Sequence, residues 1–412
     1  MALKSVVVVG AGMVGAACAL RLQAAGLRVV LIDVGDKRRG ASFGNAGHIA
    51  VEQVAPWASW SNFAAFPARL FGVGGALDFR WRDVGLWAPW SLRFLAACNH
   101  FARGQAALGA LLERALPAWQ RLVALAGRPD VVRTSGHAVV WMTPQAADAG
   151  REAWGKAQTG PATVRDMTTA EAASYASVMH RPPSAGIVFG GTAKLSDPQV
   201  AREVLLEAFV KRGGELVNSR VTRVSVMEQA LVHVDDGPAR VADAALICAG
   251  AWSRALMADH NVKAPLIGER GYSIQSTGHD WPENLFSTAF EEHSMFVTRF
   301  TTGLRATSFL EFGSPGAPPD SRKWERLKQN LRRLGIRFGE ALDCWVGARP
   351  TLPDYLPAIG RLAQSPRILY AFGHQHLGIT LAAVTAEFVE ALVGAAALPF
   401  DPAPYRIERF QG

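Results

Sequence analysis

The sequence predicts a two-domain α/β protein, with one domain an open parallel sheet of the dinucleotide-binding type and the other a mixed α+β unit. Three observations carry that expectation. The opening stretch, KSVVVVGAGMVGAACALRLQAAGLRVVLIDVG, runs strand, glycine turn, small-residue helix and second strand without interruption. A later stretch, ADAALICAGAWS, is a buried strand pattern that ends in small residues, as at the carboxyl edge of an open α/β sheet. At 412 residues, the chain is also longer than one ordinary hydrophobic core supports.

The first unit is the most explicit. Val6, Val7, Val8 and Val9 show no polar alternation, which suits a parallel strand covered on both faces. Gly10, Gly12 and Gly15 then form G-x-G-x-x-G where the strand must become a helix, with Met13 and Val14 in the helix's first turn. Gly10 permits the turn, Gly12 leaves room for a pyrophosphate, and Gly15 lets the helix lie close to the strand. The same glycines can also serve a bare strand-to-helix turn. Their setting favours a dinucleotide, because Gly26 ends the helix and RVVLID follows, closing on Asp33 and Val34. A carboxylate at Asp33 can accept hydrogen bonds from an adenosine ribose and would repel a 2′-phosphate.

Composition narrows the class of protein. Hydrophobic residues make up 49% and charged residues 19% of the chain, as in a globular protein. Cys18, Cys98, Cys248 and Cys344 are too scattered for a zinc motif or a disulfide framework, so a reducing, cytoplasmic setting is expected. Met1 leads almost directly into the first strand, without a signal peptide's charged and apolar regions. The net charge of +8 is dispersed, which speaks for small anionic ligands and against nucleic acid. It also leaves room for peripheral attachment to an anionic inner membrane face. The most apolar late stretch, ITLAAVTAEFVEALVGAAALPF, carries Glu387 and Glu390 and reads as a helix packed on the protein.

The remaining elements follow in order. DKRRGASFGNAGHIAVEQVAPW is a long Gly/Ser/Asn-rich loop, hence a functional one. From Trp57 to Trp119 the chain is apolar and aromatic; these rings either fill a core or stand exposed at a membrane or subunit surface. ERALPAWQRLVALA is an amphipathic helix and SGHAVVWM a strand. Asp197 or Ser196 caps a helix that starts at Pro198, and a hairpin formed by RVTRVSV and LVHVDD follows. GERGYSIQ, SMFVTRF and LRATSFLEFG are strands, and SPGAPPDSRKWERLKQNLRRLG is a linker and a basic amphipathic surface helix. The last turn, Gly373, His374, Gln375, His376, Leu377, Gly378, Ile379 and Thr380, gathers N–H groups and a positive helix end at one point. The spacing of His374 and His376 lacks a Cys or carboxylate partner, so no metal is expected there.

Three of these stretches together resemble the bacterial D-amino acid dehydrogenases, flavoproteins of the D-amino acid oxidase superfamily. They are Ser42, Phe43, Gly44, Asn45, Ala46, Gly47, His48 with Ala55, Pro56, Trp57; the segment containing Ala249, Gly250 and Trp252; and Gly347, Arg349, Pro350, Pro353, Asp354, Pro357, Ile359 and Gly360. With the N-terminal unit they span Ser5 to about Leu392. The resemblance implies a discontinuous Rossmann-type FAD-binding domain (1–55, 190–262 and 340–412) and an inserted substrate domain (56–189 and 263–339). It implies FAD enclosed by the glycine turn, the segment from Ser42 to Ile49, the backbone at Val221, Ala249 to Trp252, and the turn from Gly373 to Thr380. Asn45 stands where some relatives carry a flavin-linked histidine, so noncovalent FAD is expected.

Arg349 is expected to hold a substrate carboxylate, since its planar fork can make two parallel charge-assisted bonds. Tyr272, in the stretch resembling the family's R-G-Y strand, is expected to turn its hydroxyl towards the flavin, unless it is simply bonded at a strand edge. His48 contacts flavin or substrate, or bonds a neighbouring backbone group; His376 is a further candidate. The implied reaction moves a hydride from an amino acid's α-carbon to flavin N5, giving an imine that hydrolyses. ERGY and GHQHLGITLAAVT resemble dehydrogenases of D-hydroxyproline more than those of D-alanine, with a quinone or partner protein as acceptor. The alternatives are a glycine/sarcosine-type amine oxidase and a non-catalytic flavin subunit.

Overall fold

The computed structural model describes residues 3–341, 343–398 and 400–411. One sheet has six strands in the order Glu215–Asn218, Arg28–Asp33, Ser5–Val9, Ala244–Ile247, Ile368–Phe372 and Ala358–Arg361; the first five are parallel and the last is antiparallel. Ser5–Val9 lies inside the sheet, which explains its unbroken valines. Val6 and Val8 enter the core on one face, while Val7 and Val9 enter the core on the other.

Helices Met13–Ala24, Phe101–Leu125, Pro198–Lys211 and Gly378–Gly394 cover the first face. The continuous helical stretch Gln375–Gly394 is long and apolar enough to cross a membrane, yet 67% of its apolar window is buried inside the protein. Trp119 of the helix Phe101–Leu125 is fully buried and donates its indole N–H to the Ile379 carbonyl at 2.9 Å. The amphipathic helix expected from Glu113 is therefore the second half of a longer one. Asp197 is the cap of the helix that starts at Pro198, accepting from the Gln199 N–H at 2.7 Å.

The second sheet has nine strands. Its path runs Asp343–Thr351, Ile267–Ser276, Gly303–Gly313, Met295–Phe300, Ser287–Phe290, His137–Trp141, Ala185–Gly190 and Thr163–Asp166, with Leu77–Phe79 also paired to Gly303–Gly313. This alters one expected boundary. The resemblance places residues 340–412 together in the FAD-binding domain, but Asp343–Thr351 pairs antiparallel with Ile267–Ser276 in the larger sheet, so the chain changes sheets only after Thr351. The misleading signal was the G-x-R-P segment, which borders the cofactor side while hydrogen-bonding elsewhere.

The aromatic stretch is divided between core and surface. Trp90 and Phe94 are buried against Phe312 and Tyr355, whereas Trp60 is 52% and Trp81 77% exposed. Helix Ser321–Leu334 covers the far face of the large sheet, and beneath it lies a paired charge cluster. Arg270 donates to Glu311 at 2.5 Å, and the fully buried Lys323 ammonium reaches Glu311 at 2.6 Å and Asp78 at 2.7 Å. Each buried charge there has its counter-charge, which is what makes the cluster tolerable inside a protein.

Candidate active site

The carboxyl ends of the parallel strands open into a cavity of about 570 Å³. Gly10, Gly12, Met13 and Val14 line it from the first turn, Asp33 and Val34 from the second strand's end, and Ser42 and Asn45 from the following loop. Val221, Ala249, Gly250 and Trp252 form another wall, and Arg349, His374, Gln375, Gly378 and Ile379 complete it. The other predicted residues stand behind these. Gly15 packs helix to strand; Ala46, Gly47 and Ile49 continue the loop; Gly373, Leu377 and Thr380 shape the final turn. Thr380 Oγ1 accepts from the Ala50 N–H at 2.9 Å and ties that turn to the loop.

The glycine turn has a mechanical explanation. Gly10 has φ +100°, and a Cβ there would lie 2.6 Å from the Cys248 carbonyl oxygen. A Cβ on Gly15 would meet the Gly10 carbonyl oxygen at 1.8 Å, so only glycine lets this helix approach. Gly12 is different, because its absent Cβ has no neighbour within 4 Å and faces open space. No side chain caps the helix that follows, so its first N–H groups are available to a ligand. Asp33 accepts from the Ala11 N–H through Oδ2 at 2.7 Å and from the Gly35 N–H through Oδ1 at 3.1 Å, which fixes its carboxylate at the cavity wall.

The opposite end is built the same way. Helix Gly378–Gly394 also begins without a side-chain cap, beside buried Gln375, whose Oε1 has no partner among the described residues and whose amide nitrogen donates to the Tyr355 carbonyl. Gln375, Tyr355 and Phe309 are non-glycine residues with φ of 48°, 57° and 73°. Such backbone conformations are costly and collect at functional sites.

These strained residues surround Arg349. Both of its hydrogen bonds run from Nη1, to Glu269 Oε1 at 3.0 Å and to the Phe309 carbonyl at 3.2 Å; among the described residues Nε and Nη2 make none. The guanidinium lies over Gly271, where a Cβ would come within 2.3 Å of Nη2. Glu269 is wholly buried and also accepts from the Tyr355 hydroxyl at 3.0 Å and the Thr351 hydroxyl at 3.3 Å. One arm of the fork is thus anchored and the rest is available to the cavity.

Tyr272 is a correction. Successive residues of a strand point to opposite faces, so Glu269 and Gly271 share the Arg349 side while Tyr272 faces helix Ser321–Leu334. Its hydroxyl donates to Glu311 at 3.0 Å and accepts from the Asp320 N–H at 3.1 Å, and burial pushes its pKa up to about 12. The tyrosine on the Arg349 side is Tyr355, which carried no motif signal. His48 bonds Glu52 Oε1 through Nε2 at 3.0 Å, a side-chain partner where one of the two alternatives was a backbone group, and it stands outside the cavity's lining. His376 pairs with Gln53 Oε1 at 2.8 Å and its ring centre is 6.4 Å from that of Tyr355. Two arginines near the glycine turn were missed as well, Arg39 in the cavity's lining and Arg202 outside it. Arg39 places its guanidinium 4.9 Å over the Trp252 ring, and Arg202 donates to the Ala11 carbonyl at 2.5 Å. Only the KRR run after Asp33 could have hinted at the first.

A protein-family model described as FAD dependent oxidoreductase (DAO) matches residues 5–392. The chain belongs to the DAO family. A D-amino-acid oxidase of Bradyrhizobium diazoefficiens is 28% identical, with 99% of each chain covered, and a D-amino acid dehydrogenase of Paramagnetospirillum magneticum is 30% identical, with 94% of each covered. Among solved structures, glycine oxidase from Geobacillus kaustophilus superposes with a TM-score of 0.71 at 18% identity, covering 99% of each chain. The protein is thus an FAD-dependent oxidoreductase with the DAO fold.

The cavity's own features fit that cofactor. Two uncapped helix starts, open space at Gly12, the fixed Asp33 carboxylate and the orphaned Gln375 Oε1 are the groups a dinucleotide with a polar ring system requires.

His374 adds a pH dependence. It is 2% exposed, pairs with Thr385 Oγ1 at 3.0 Å, and burial lowers its pKa to about 3 from the ordinary 6.5. Between those values the unfolded chain binds a proton that the folded chain does not, so stability is present above pH 6.5 and is lost as pH falls towards 3. From pH 6.5 to 5 the loss from this one group is about 2 kcal/mol. Urea titrations of wild type and His374→Gln at both pH values check this: the variant should lose about 2 kcal/mol less, and equal losses would exonerate His374.

Proposed function

We propose that the protein oxidatively deaminates D-amino acids or cyclic imino acids, D-hydroxyproline and D-proline among them, with noncovalently held FAD. The observation that carries this reading is Arg349, with one guanidinium arm bound to buried Glu269 and the other arms turned to the cofactor cavity. An α-carboxylate on that fork places the α-carbon at a fixed distance from the cavity floor. Bound FAD supplies the acceptor for the α-hydride. The uncapped helix start at Gly378 offers a positive dipole end where negative charge develops. The 28% identical D-amino-acid oxidase and 30% identical D-amino acid dehydrogenase support the amino-acid class, and the ERGY and GHQHLGITLAAVT stretches support the ring compounds.

For the electron acceptor we favour a quinone or partner protein at the cytoplasmic face of a membrane. Among the described residues, half of the large exposed apolar side chains fall between Trp60 and Leu92, including Trp81 (77% exposed), Val73 (70%) and Leu92 (70%). Exposed Arg69, Arg82 and Arg93 are interspersed with them, a composition suited to an anionic lipid surface.

An anaerobic screen of D-, L- and cyclic amino acids, read by flavin bleaching, tests the proposal. Bleaching by ring compounds or D-amino acids is expected, with reoxidation faster by quinone than by oxygen and all colour in the supernatant after acid precipitation. Absence of bleaching by any amine would sink the catalytic reading; yellow pellet would sink noncovalent binding; rapid stoichiometric peroxide would make the protein an oxidase.

A further inference from the structure

At the end of the flavin-side loop, two histidines and a glutamate converge outside the lining of the cofactor cavity. His48 Nε2 lies 3.0 Å from Glu52 Oε1, and His137 Nε2 lies 3.9 Å from the same oxygen. One ligand atom from each of the three residues lies within 4.8 Å of the other two. Their side chains are 10%, 2% and 4% exposed. We propose that His48, Glu52 and His137 form a binding site for one divalent transition-metal ion of the zinc class.

Charge and hydrogen bonding favour a cation here over a bare cluster. A buried carboxylate needs its lone pairs satisfied. Glu52 Oε2 has no partner among the described residues, and Oε1 has only the His48 ring at hydrogen-bond distance. His137 Nδ1 pairs with Thr192 Oγ1 at 3.1 Å. Thr192 Oγ1 can accept from that nitrogen or donate to it: in the first case Nε2 turns an unprotonated lone pair towards the carboxylate, and in the second its N–H stands 3.9 Å away, too far for a hydrogen bond, so neither tautomer satisfies the carboxylate. Protonating both rings instead would set two cations 4.3 Å apart, centre to centre. A divalent ion accepts both nitrogen lone pairs and the carboxylate together.

The geometry agrees. Tetrahedral ligands at ~2.0–2.2 Å from zinc stand about 3.4 Å apart, and the observed 3.0 and 3.9 Å separations bracket that value. Two nitrogens and one oxygen form a ligand set suited to zinc or another late first-row ion. The outer contacts are also those of a ligand shell. Thr192 holds His137 Nδ1 at 3.1 Å, Phe189 stacks on His137 at 4.6 Å, and Phe296 lies 5.5 Å from His48, so neither ring is free to swing away.

The position suggests a bracing role. His48 and Ile49 pair with Lys194 and Ala193 in a small sheet, whereas His137 starts a strand of the nine-stranded sheet. An ion shared by His48 and His137 would hold the loop bearing Ser42 and Asn45 against that larger sheet. The sequence concealed this because His137 is remote from the other two residues and no ligand spacing links them.

Elemental analysis of tag-free, flavin-loaded protein purified without chelators tests the proposal, followed by chelator treatment and titration with zinc sulfate. About one ion per chain is expected, with saturable rebinding and a raised melting temperature. Glu52→Gln and His137→Gln should abolish stoichiometric binding, and Thr192→Val should weaken it about tenfold or more. Substoichiometric metal with no saturable zinc binding would overturn the proposal and leave a proton-shared hydrogen-bonded cluster, as would equal zinc binding by wild type and Glu52→Gln. Should the variants fail to fold, cobalt(II) substituted into the wild type decides. Nitrogen- and oxygen-ligand bands with no thiolate charge transfer support the site, and a thiolate band places the metal at a cysteine and overturns it.

Discussion

Arg349→Lys is expected to lower kcat/KM for the preferred amino acid by on the order of a hundredfold while FAD stays bound. The arginine performs two tasks with one planar group: Nη1 neutralises Glu269 at 3.0 Å, and the remaining nitrogens face the cavity. A lysine ammonium is a single point charge and cannot hold both carboxylates in that geometry. If it stays with buried Glu269, the substrate loses a charge-assisted pair; if it turns to the substrate, Glu269 is left buried and unpaired. Either way the loss is about 3 kcal/mol from the transition state, which corresponds to the hundredfold. Steady-state kinetics together with the flavin-to-protein ratio check it. Full flavin with unchanged kcat/KM would show that the carboxylate is held elsewhere. Gly271→Ala provides an independent approach, since its Cβ would come 2.3 Å from Arg349 Nη2 and must displace the guanidinium without altering its charge.

Gly15→Ala is expected to act on the fold itself. The new methyl would sit 1.8 Å from the Gly10 carbonyl oxygen, a backbone atom with nowhere to retreat, so helix Met13–Ala24 would have to lift from strand Ser5–Val9. Overpacking of this kind costs about 1–3 kcal/mol or more, and the displaced helix start should no longer meet a pyrophosphate. Gly12→Ala is the matching control: with nothing within 4 Å, it should fold normally and lose FAD affinity alone. Denaturant midpoints of the apoproteins separate the two. A Gly15→Ala protein with wild-type stability and full flavin would refute the close-approach account of this motif.

Those two sites also mark the limits of what could be read from sequence. The glycine turn, Asp33 and the last helix start were legible because backbone geometry there demands particular residues at fixed spacing. Arg349 was legible as a guanidinium in a recognisable segment, but the sheet to which its strand belongs was not, since strand partners are set by long-range pairing. Tyr272 was misplaced for a related reason. Strand periodicity says that Gly271 and Tyr272 face opposite ways, but only the position of helix Ser321–Leu334 shows which way is towards the cofactor. Tyr355 carried no signal, and Glu269 was noticed only as part of ERGY and not as the partner of Arg349, because a buried contact between distant residues leaves no local pattern.

The strand order has a consequence for synthesis. Ser5–Val9 lies within the sheet, yet its neighbour Ala244–Ile247 is made more than two hundred residues later. At translation rates of about 5–20 residues per second, that edge of the strand waits on the order of ten to fifty seconds for its partner. During that time the β-α-β unit presents an apolar strand edge, Val6 to Val9, of the kind that pairs with other chains. A cofactor cavity whose walls come from both ends of the chain cannot offer flavin as a folding ligand until the final turn at Gly373–Thr380 has emerged.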